Sequence, residues 1–138
     1  MNDEKCVIII DENLPLGIMV NTAAILGISL GQLRKDIVGM DVFDSNGNKH
    51  PGIIEFPVPV LKGNQMILKD LMLKLVTPHF HDLTYVDFSD LAQGCKTYDE
   101  YILKMKNCLE KDLNYIGIII CGNKKKVNKL TGSLPLLR

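Results

Sequence analysis

The chain has 138 residues, 46% of them hydrophobic and 23% charged, with sixteen Lys and Arg against sixteen Asp and Glu. That length suits a single domain over residues 1–138, and the composition is too apolar for a disordered chain. A net charge of zero supplies no global field to draw nucleic acid or an anionic membrane, so any charge argument must be local.

The opening "MNDEK" is acidic and lacks the basic start and apolar segment of a signal peptide. The longest apolar stretch is interrupted at Asp11, Glu12 and Asn13, short of the roughly 18 residues a membrane helix needs, so a soluble protein is expected. Cys6, Cys95, Cys108 and Cys121 form no C-x-x-C pair, which fits reduced thiols and a cytoplasmic location.

Two blocks, "CVIII" near the start and "YIGIIIC" near the end, are continuous β-branched runs without polar alternation. Strands buried on both faces of a helix-covered sheet read this way, and the two are expected side by side at its centre. A helix is predicted from about Gly17 to Leu33, with Val20, Ala24, Gly27 and Gly31 recurring at spacings of three and four. This smooth face predicts a close approach to the sheet, offsetting about 1 kcal/mol of lost propensity per glycine, and makes Gly27→Leu an overpacking change. Asn21 interrupts the run. It is read either as a local device bonding backbone near the strand end or as a group facing a crevice.

Asn46-Gly47 is a hairpin signal between Val42-Phe43 and Ile53-Ile54. "FPVPVLKG" is extended but short of donors at Pro57 and Pro59, which assigns it to a sheet edge or beyond. Met66, Leu68, Leu71, Met72 and Leu75 form a helix face that ends before Pro78, and the methionines read as core filler. "LTYVDF" is a short strand. "KTYDEYILKMKNCLEKD" is a helix opened by a Thr97–Glu100 capping box, with Tyr98, Tyr101, Ile102, Met105 and Leu109 on its apolar face. The last strand, Tyr115 to Cys121, leads through Gly122-Asn123 into a short helix, Lys124 to Leu130, closed by Gly132. Strands alternating with helices imply an α/β domain.

Few residues carry recognisable chemistry. His79 and His81 form an H-x-H pair, with His50 far off in sequence, but lack a third nearby ligand, and no metal is assigned. None of G-x-S-x-G, G-x-x-x-x-G-K or G-x-G-x-x-G is present, so no cofactor is assigned either.

The opening "KCVIIIDENLPLGIMVNTAA", the segment "TYVDF" and the closing "YIGIIICGNKKKVNKLTGSLPLL" resemble, in that order, the archaeal and eukaryotic type of peptidyl-tRNA hydrolase. Within that fold group the chain is most similar to an uncharacterised bacterial family known as domain of unknown function 2000. The resemblance implies a three-layer α/β/α domain with a mixed, mostly parallel four-stranded sheet. It also implies a crevice beyond the C-terminal strand ends, where Asp11, Asn13, Asn21 and Asp87 would meet. In the hydrolases a lysine stands two residues before a double alanine, where this chain has Asn21 before Ala23-Ala24. An amide cannot supply that fixed positive charge. The family's strand-end aspartate corresponds to Asp87, the one catalytic candidate, but the segment after it is replaced by a capped helix.

The expected function is therefore binding of a small or nucleotide-like ligand in that crevice. A hydrolase of a tRNA-linked ester and a homodimeric protein-binding module are the alternatives. RNA enters only through Lys124, Lys125 and Lys126, which are either solvated or part of an anion site at the last helix's N-terminus.

Overall fold

The computed structural model describes residues 3–138, so Met1 and Asn2 of the acidic start lie outside the described residues. The two β-branched runs become β1 (Glu4–Asp11) and β6 (Tyr115–Asn123), adjacent and antiparallel, with Cys6 opposite Cys121 and Ile9 opposite Ile118. They are the inner strands of a four-stranded mixed sheet, flanked by β4 (Val60–Gly63) beside β1 and β5 (Thr84–Ser89) beside β6. Alternation along the strands feeds two cores. Val7, Ile9, Ile118 and Ile120 pack with α2 (Gln65–Leu75) and α5 (Lys124–Thr131), whereas Cys6, Ile8, Ile10 and Ile119 pack with α1 (Leu16–Leu33). Neither face meets water, which is why the runs lack polar residues.

The expectation of a mostly parallel sheet needs correcting. Three strands run the same way, but β6 lies among them in the opposite sense, and β1–β4 is the single parallel pairing of the three. The cause is the segment after β5. The short helix α3 (Asp90–Gln93), which the sequence did not suggest, and α4 (Tyr98–Lys106) return the chain to where β5 ended. There Ser89 pairs with Tyr115 and the Asp90 N–H donates to Asn114 O, so β6 must run back along β5.

Helix ends follow the cap chemistry. Asn64 Oδ1 accepts the Ile67 N–H at 2.8 Å at the start of α2, and Thr97 Oγ1 accepts the Glu100 N–H at 3.1 Å at the start of α4. The Glu100 carboxylate reaches back to the Lys96 N–H rather than to Thr97 itself. Two expected faces are only half right. Leu68, Leu71 and Leu75 of α2 are buried while Met66 points outward; α4 stops at Asn107 and buries none of its residues fully.

Proline-preceded β4 is an edge strand, as expected, and the C-terminal tail covers its outer side: Lys62 N–H donates to Pro135 O and Leu137 N–H to Val60 O, both at 2.8 Å. The hairpin forms from β2 (Val42–Phe43) and β3 (Lys49–His50), with Gly47 at φ +82° in the left-handed region its turn requires. Its return strand is Lys49–His50 rather than Ile53-Ile54; Ile54 instead bridges Val38 at the base.

The largest correction concerns α1. It seats on the sheet through Thr22, Leu26 and Leu30, while Val20, Ala24 and Gly27 face outward. Positions 24 and 26 lie about 200° apart around a helix, so the smooth stripe is the far side. The close approach comes from the sheet, at Gly117. A side chain added at Gly27 meets nothing within 4 Å, so Gly27→Ala should raise stability by about 1 kcal/mol through helix propensity alone. Gly27→Leu should be tolerated as well; a lower denaturation midpoint in either variant would restore the buried-stripe reading. The 18 residues of α1 include no Asp, Glu, Lys or Arg, so the helix has the length and apolarity to cross a membrane, contrary to the sequence expectation.

Candidate functional site

β5 has β6 on one side and, among the described residues, no strand on the other. The space left along that open edge is a groove of about 980 Å³, walled by α1 on one side and by α3 and α4 on the other. Ile25 and Ile28 of α1, Val86 and Phe88 of β5, and Tyr98 and Tyr101 of α4 supply most of its apolar lining. Lys35 and Lys96 also line it, just beyond α1 and just before α4.

Asp87 is the one acidic residue in this lining. It sits opposite Ile118, with Phe88 and Ser89 continuing the strand, so it is mid-strand and not at the strand end. Burial pushes its carboxyl above the ordinary carboxylate range, opposed only by a hydrogen bond from its own backbone. It takes part in no salt bridge among the described residues. Burial also raises the Tyr101 phenol, and the Asp87 charge raises it further. A carboxyl and a phenol lining one groove can between them accept and donate hydrogen bonds.

The other candidates do not converge on Asp87. Asp11 is buried at the end of β1, and its carboxylate accepts the Asn13 N–H at 3.0 Å, closing the loop into α1. None of Asp11, Asn13 and Asn21 lines the groove that Asp87 lines. Asn21 fills neither of its two expected roles: its Nδ2 donates to Gln93 Oε1 at 3.0 Å, tying α1 to α3. Lys124, Lys125 and Lys126 begin α5 at the end of the sheet where Glu4 pairs with Asn123, opposite to Asp11. The Lys126 N–H is taken by Asn123 Oδ1, its ammonium by Asp82 at 2.9 Å, and the Lys124 N–H by Asp3 O. An anion site would rest on the exposed Lys124 and Lys125 side chains.

His50 bonds Asp44 at 2.9 Å and His81 bonds Pro78 O, with no cluster of metal-binding side chains among the described residues. The sequence places Tyr98 and Tyr101 on the apolar face of their helix. Their rings meet edge-on, centroids 5.5 Å apart, and line the groove. The signal available in the sequence was that both are tyrosines, one turn apart, each with a polar tip that favours a partly wet surface.

The family model described as "Protein of unknown function (DUF2000)" matches residues 4–138. No curated protein matches. Among solved structures the chain is similar to a protein of unknown function from Agrobacterium tumefaciens strain C58. The two are 18% identical, the match covers 99% of this chain and 98% of that one, and the TM-score is 0.86, a likeness of fold.

Proposed function

The chain belongs to this family of proteins of unknown function, and from that premise we propose that it is a cytoplasmic protein that binds a small ligand in the β5 groove. The observation that carries this is Asp87: a carboxyl with no salt-bridge partner among the described residues, the one acidic group in a mainly apolar groove large enough for a drug-sized molecule. Such a groove favours a flat or acyl body against Ile28, Val86 and Phe88, with a hydrogen-bonding edge turned to Asp87 and Tyr101. A nucleobase meets that description, with Lys35 and Lys96 available to a phosphate. Helices over both sheet faces support the three-layer, peptidyl-tRNA hydrolase-like reading of the fold. They do not extend it to hydrolysis, because Asn21 stands in place of the lysine and is engaged with Gln93.

A thermal-shift screen of nucleosides, nucleotides and small apolar acids and amines tests the proposal, since a ligand of the native state raises its apparent stability. A groove ligand should raise the midpoint of the wild type, and less so that of Asp87→Asn. A phosphate or RNA response that is kept in Asp87→Asn but lost in Lys125→Glu would belong to the lysines instead. No response from any class, or turnover of peptidyl-tRNA, would overturn the proposal.

Asp87 also predicts a pH dependence. Its folded pKa lies above the unfolded value, so the native state holds the proton more tightly and stability falls as pH rises from the ordinary carboxylate range through the raised value. Asp87→Asn should therefore be more stable than wild type at neutral pH, with the difference closing as pH is lowered through that window. Denaturation midpoints measured across pH decide it; an Asn variant weaker at neutral pH would give Asp87 a stabilising partner and remove the basis of the site.

A further inference from the structure

β1 and β6 each carry one cysteine, and their register sets the two face to face. Glu4 lies opposite Asn123, so Asp3 stands opposite Lys124, and the Lys124 N–H donates to Asp3 O at 2.7 Å. Theirs is therefore a hydrogen-bonded pair, and alternation along an antiparallel ladder makes Cys6 and Cys121, three steps on, a non-hydrogen-bonded pair. The other edge of β1 agrees: Ile8, two residues beyond Cys6, turns its N–H away from β6 to Pro59 O at 3.0 Å. At such a site the Cα atoms are about 4.5 Å apart and the two side chains share one face of the sheet. A disulfide needs Cα atoms roughly 4.4–6.8 Å apart, so these sulfurs can join with little movement of either strand.

The surroundings treat the two thiols differently. Both are fully buried in the core beneath α1. Arg34, just past the end of α1, points Nη1 at Cys121 Sγ at 3.7 Å and holds Glu4 and Asp36 with its other nitrogens. A hydrogen bond from the Cys6 thiol, together with the Arg34 charge, lowers Cys121 below the ordinary thiol range, against burial and the charges of Glu4 and Asp36. The same hydrogen bond and burial push Cys6 up. A thiolate beside a cation is the reactive form of cysteine, and here a second thiol stands ready to close on it. Cys95 and Cys108 instead donate their S–H to backbone carbonyls, Leu91 O at 3.2 Å and Leu109 O at 3.4 Å.

Burial leaves a route for a very small reactant. Cys6 and Cys121 are each the third residue from the same end of the sheet, where fraying opens a strand pair first, and the Arg34 side chain above Cys121 is itself 15% exposed.

We propose that Cys6 and Cys121 form a redox modification site for a hydroperoxide, with Cys121 as the attacking sulfur, Cys6 as the resolving one and Arg34 as the positioning residue. With hydrogen peroxide, the Cys121 thiolate attacks one oxygen and breaks the O–O bond, leaving a sulfenic acid and a hydroxide that takes up a proton as water. The Cys6 sulfur then bonds to Cys121, and the sulfenic oxygen leaves with the Cys6 proton as a second water. Two thiols give up two electrons and two protons, and the peroxide is reduced to two waters.

Mass spectrometry tests this on the full chain, reduced, freed of reductant, treated with excess hydrogen peroxide at neutral pH, quenched with catalase and alkylated in denaturant. The Cys6 and Cys121 peptides should be recovered joined, before Cys95 or Cys108 is oxidised, and dithiothreitol should separate them. In Cys6→Ser the sulfenic acid has no resolving thiol, so dimedone should label Cys121. Arg34→Leu should slow the joining about tenfold, because the thiolate is the reacting form and less of it exists without the cation. A merely structural Arg34 would move the rate the other way, since a looser end of α1 exposes the sulfurs. Cys6 and Cys121 left unjoined would overturn the proposal, as would a disulfide to Cys95 or Cys108 in their place, a Cys6→Ser chain that dimedone leaves unlabelled, or an Arg34→Leu rate equal to or above that of wild type.

Discussion

Gly117→Val should destabilise the protein by about 3 kcal/mol, lowering the thermal midpoint by roughly 10 °C for a chain of this size. Gly117 lies in β6 between Ile10 of β1 and Phe88 of β5, where α1 crosses the sheet. A Cβ there would stand 2.5 Å from Thr22 Cγ2, 3.1 Å from Leu26 Cδ1 and 3.2 Å from Ile10 Cδ1. Thr22 is poorly able to yield. Its side chain is β-branched, fully buried and fixed by a 2.7 Å hydrogen bond from Oγ1 to Ile18 O, so turning it would strand a hydroxyl in the core. The helix must lift instead, disturbing the apolar contacts of Leu26 and Leu30. Because α1 is one wall of the β5 groove, the variant should also bind a groove ligand less well. Gly117→Ala should show the same effect at about half the size. Chemical denaturation measures both, and a midpoint within error of wild type would mean that α1 is not seated on this glycine.

Arg34→Leu is expected to cost about 2 kcal/mol through lost charged hydrogen bonds. Arg34 follows α1 directly, and its N–H closes the helix on Leu30 O at 2.9 Å. Its guanidinium, 15% exposed, grips Asp36 with Nε and Nη2 at 2.9 Å each, meets Glu4 Oε1 at 2.7 Å, and points Nη1 at Cys121 Sγ at 3.7 Å. One side chain thus ties the end of α1 to β1 and β6. Its hydrogen bonds hold the Asp36 carboxyl below the usual range. A depressed folded pKa gives stability that is present above the ordinary carboxylate range and lost as pH falls through the lowered value. The difference between wild type and Arg34→Leu should therefore be largest near neutral pH and shrink in acid. Equal midpoints at neutral pH would show that solvent replaces the network at no cost.

The candidate site was partly legible. Asp87 was singled out from "TYVDF", but as a strand-end residue, because nothing local indicates that Phe88 and Ser89 still pair. Asn21 drew notice as a lone amide in an apolar helix. Its partner Gln93 lies 72 residues away on a helix the sequence did not announce, so no local pattern could have supplied it. Tyr98 and Tyr101 were placed on the correct helix and face, but not in the groove that the face lines. Helical spacing shows which residues share a face, not whether that face meets a core or a groove.

Several features were determined by the sequence itself. Unbroken β-branched runs make "CVIII" and "YIGIIIC" central strands, because only burial on both faces tolerates them. Asn64, Thr97 and Asn123 act through side-chain oxygens within a few residues of the N–H groups they cap. Asn46-Gly47 makes its turn because glycine takes up the positive φ at little cost. These are local effects, complete within a short stretch of chain. The rotation of α1 about its axis, the direction of β6 and the position of the groove were decided by tertiary structure alone. A helix that is apolar or small nearly all round has no amphipathic direction, so which stripe is buried depends on the shape it meets, here the gap above Gly117. Strand sense likewise depends on where the preceding helices return the chain, and the groove exists because α1, α3 and α4 flank an edge that no strand completes.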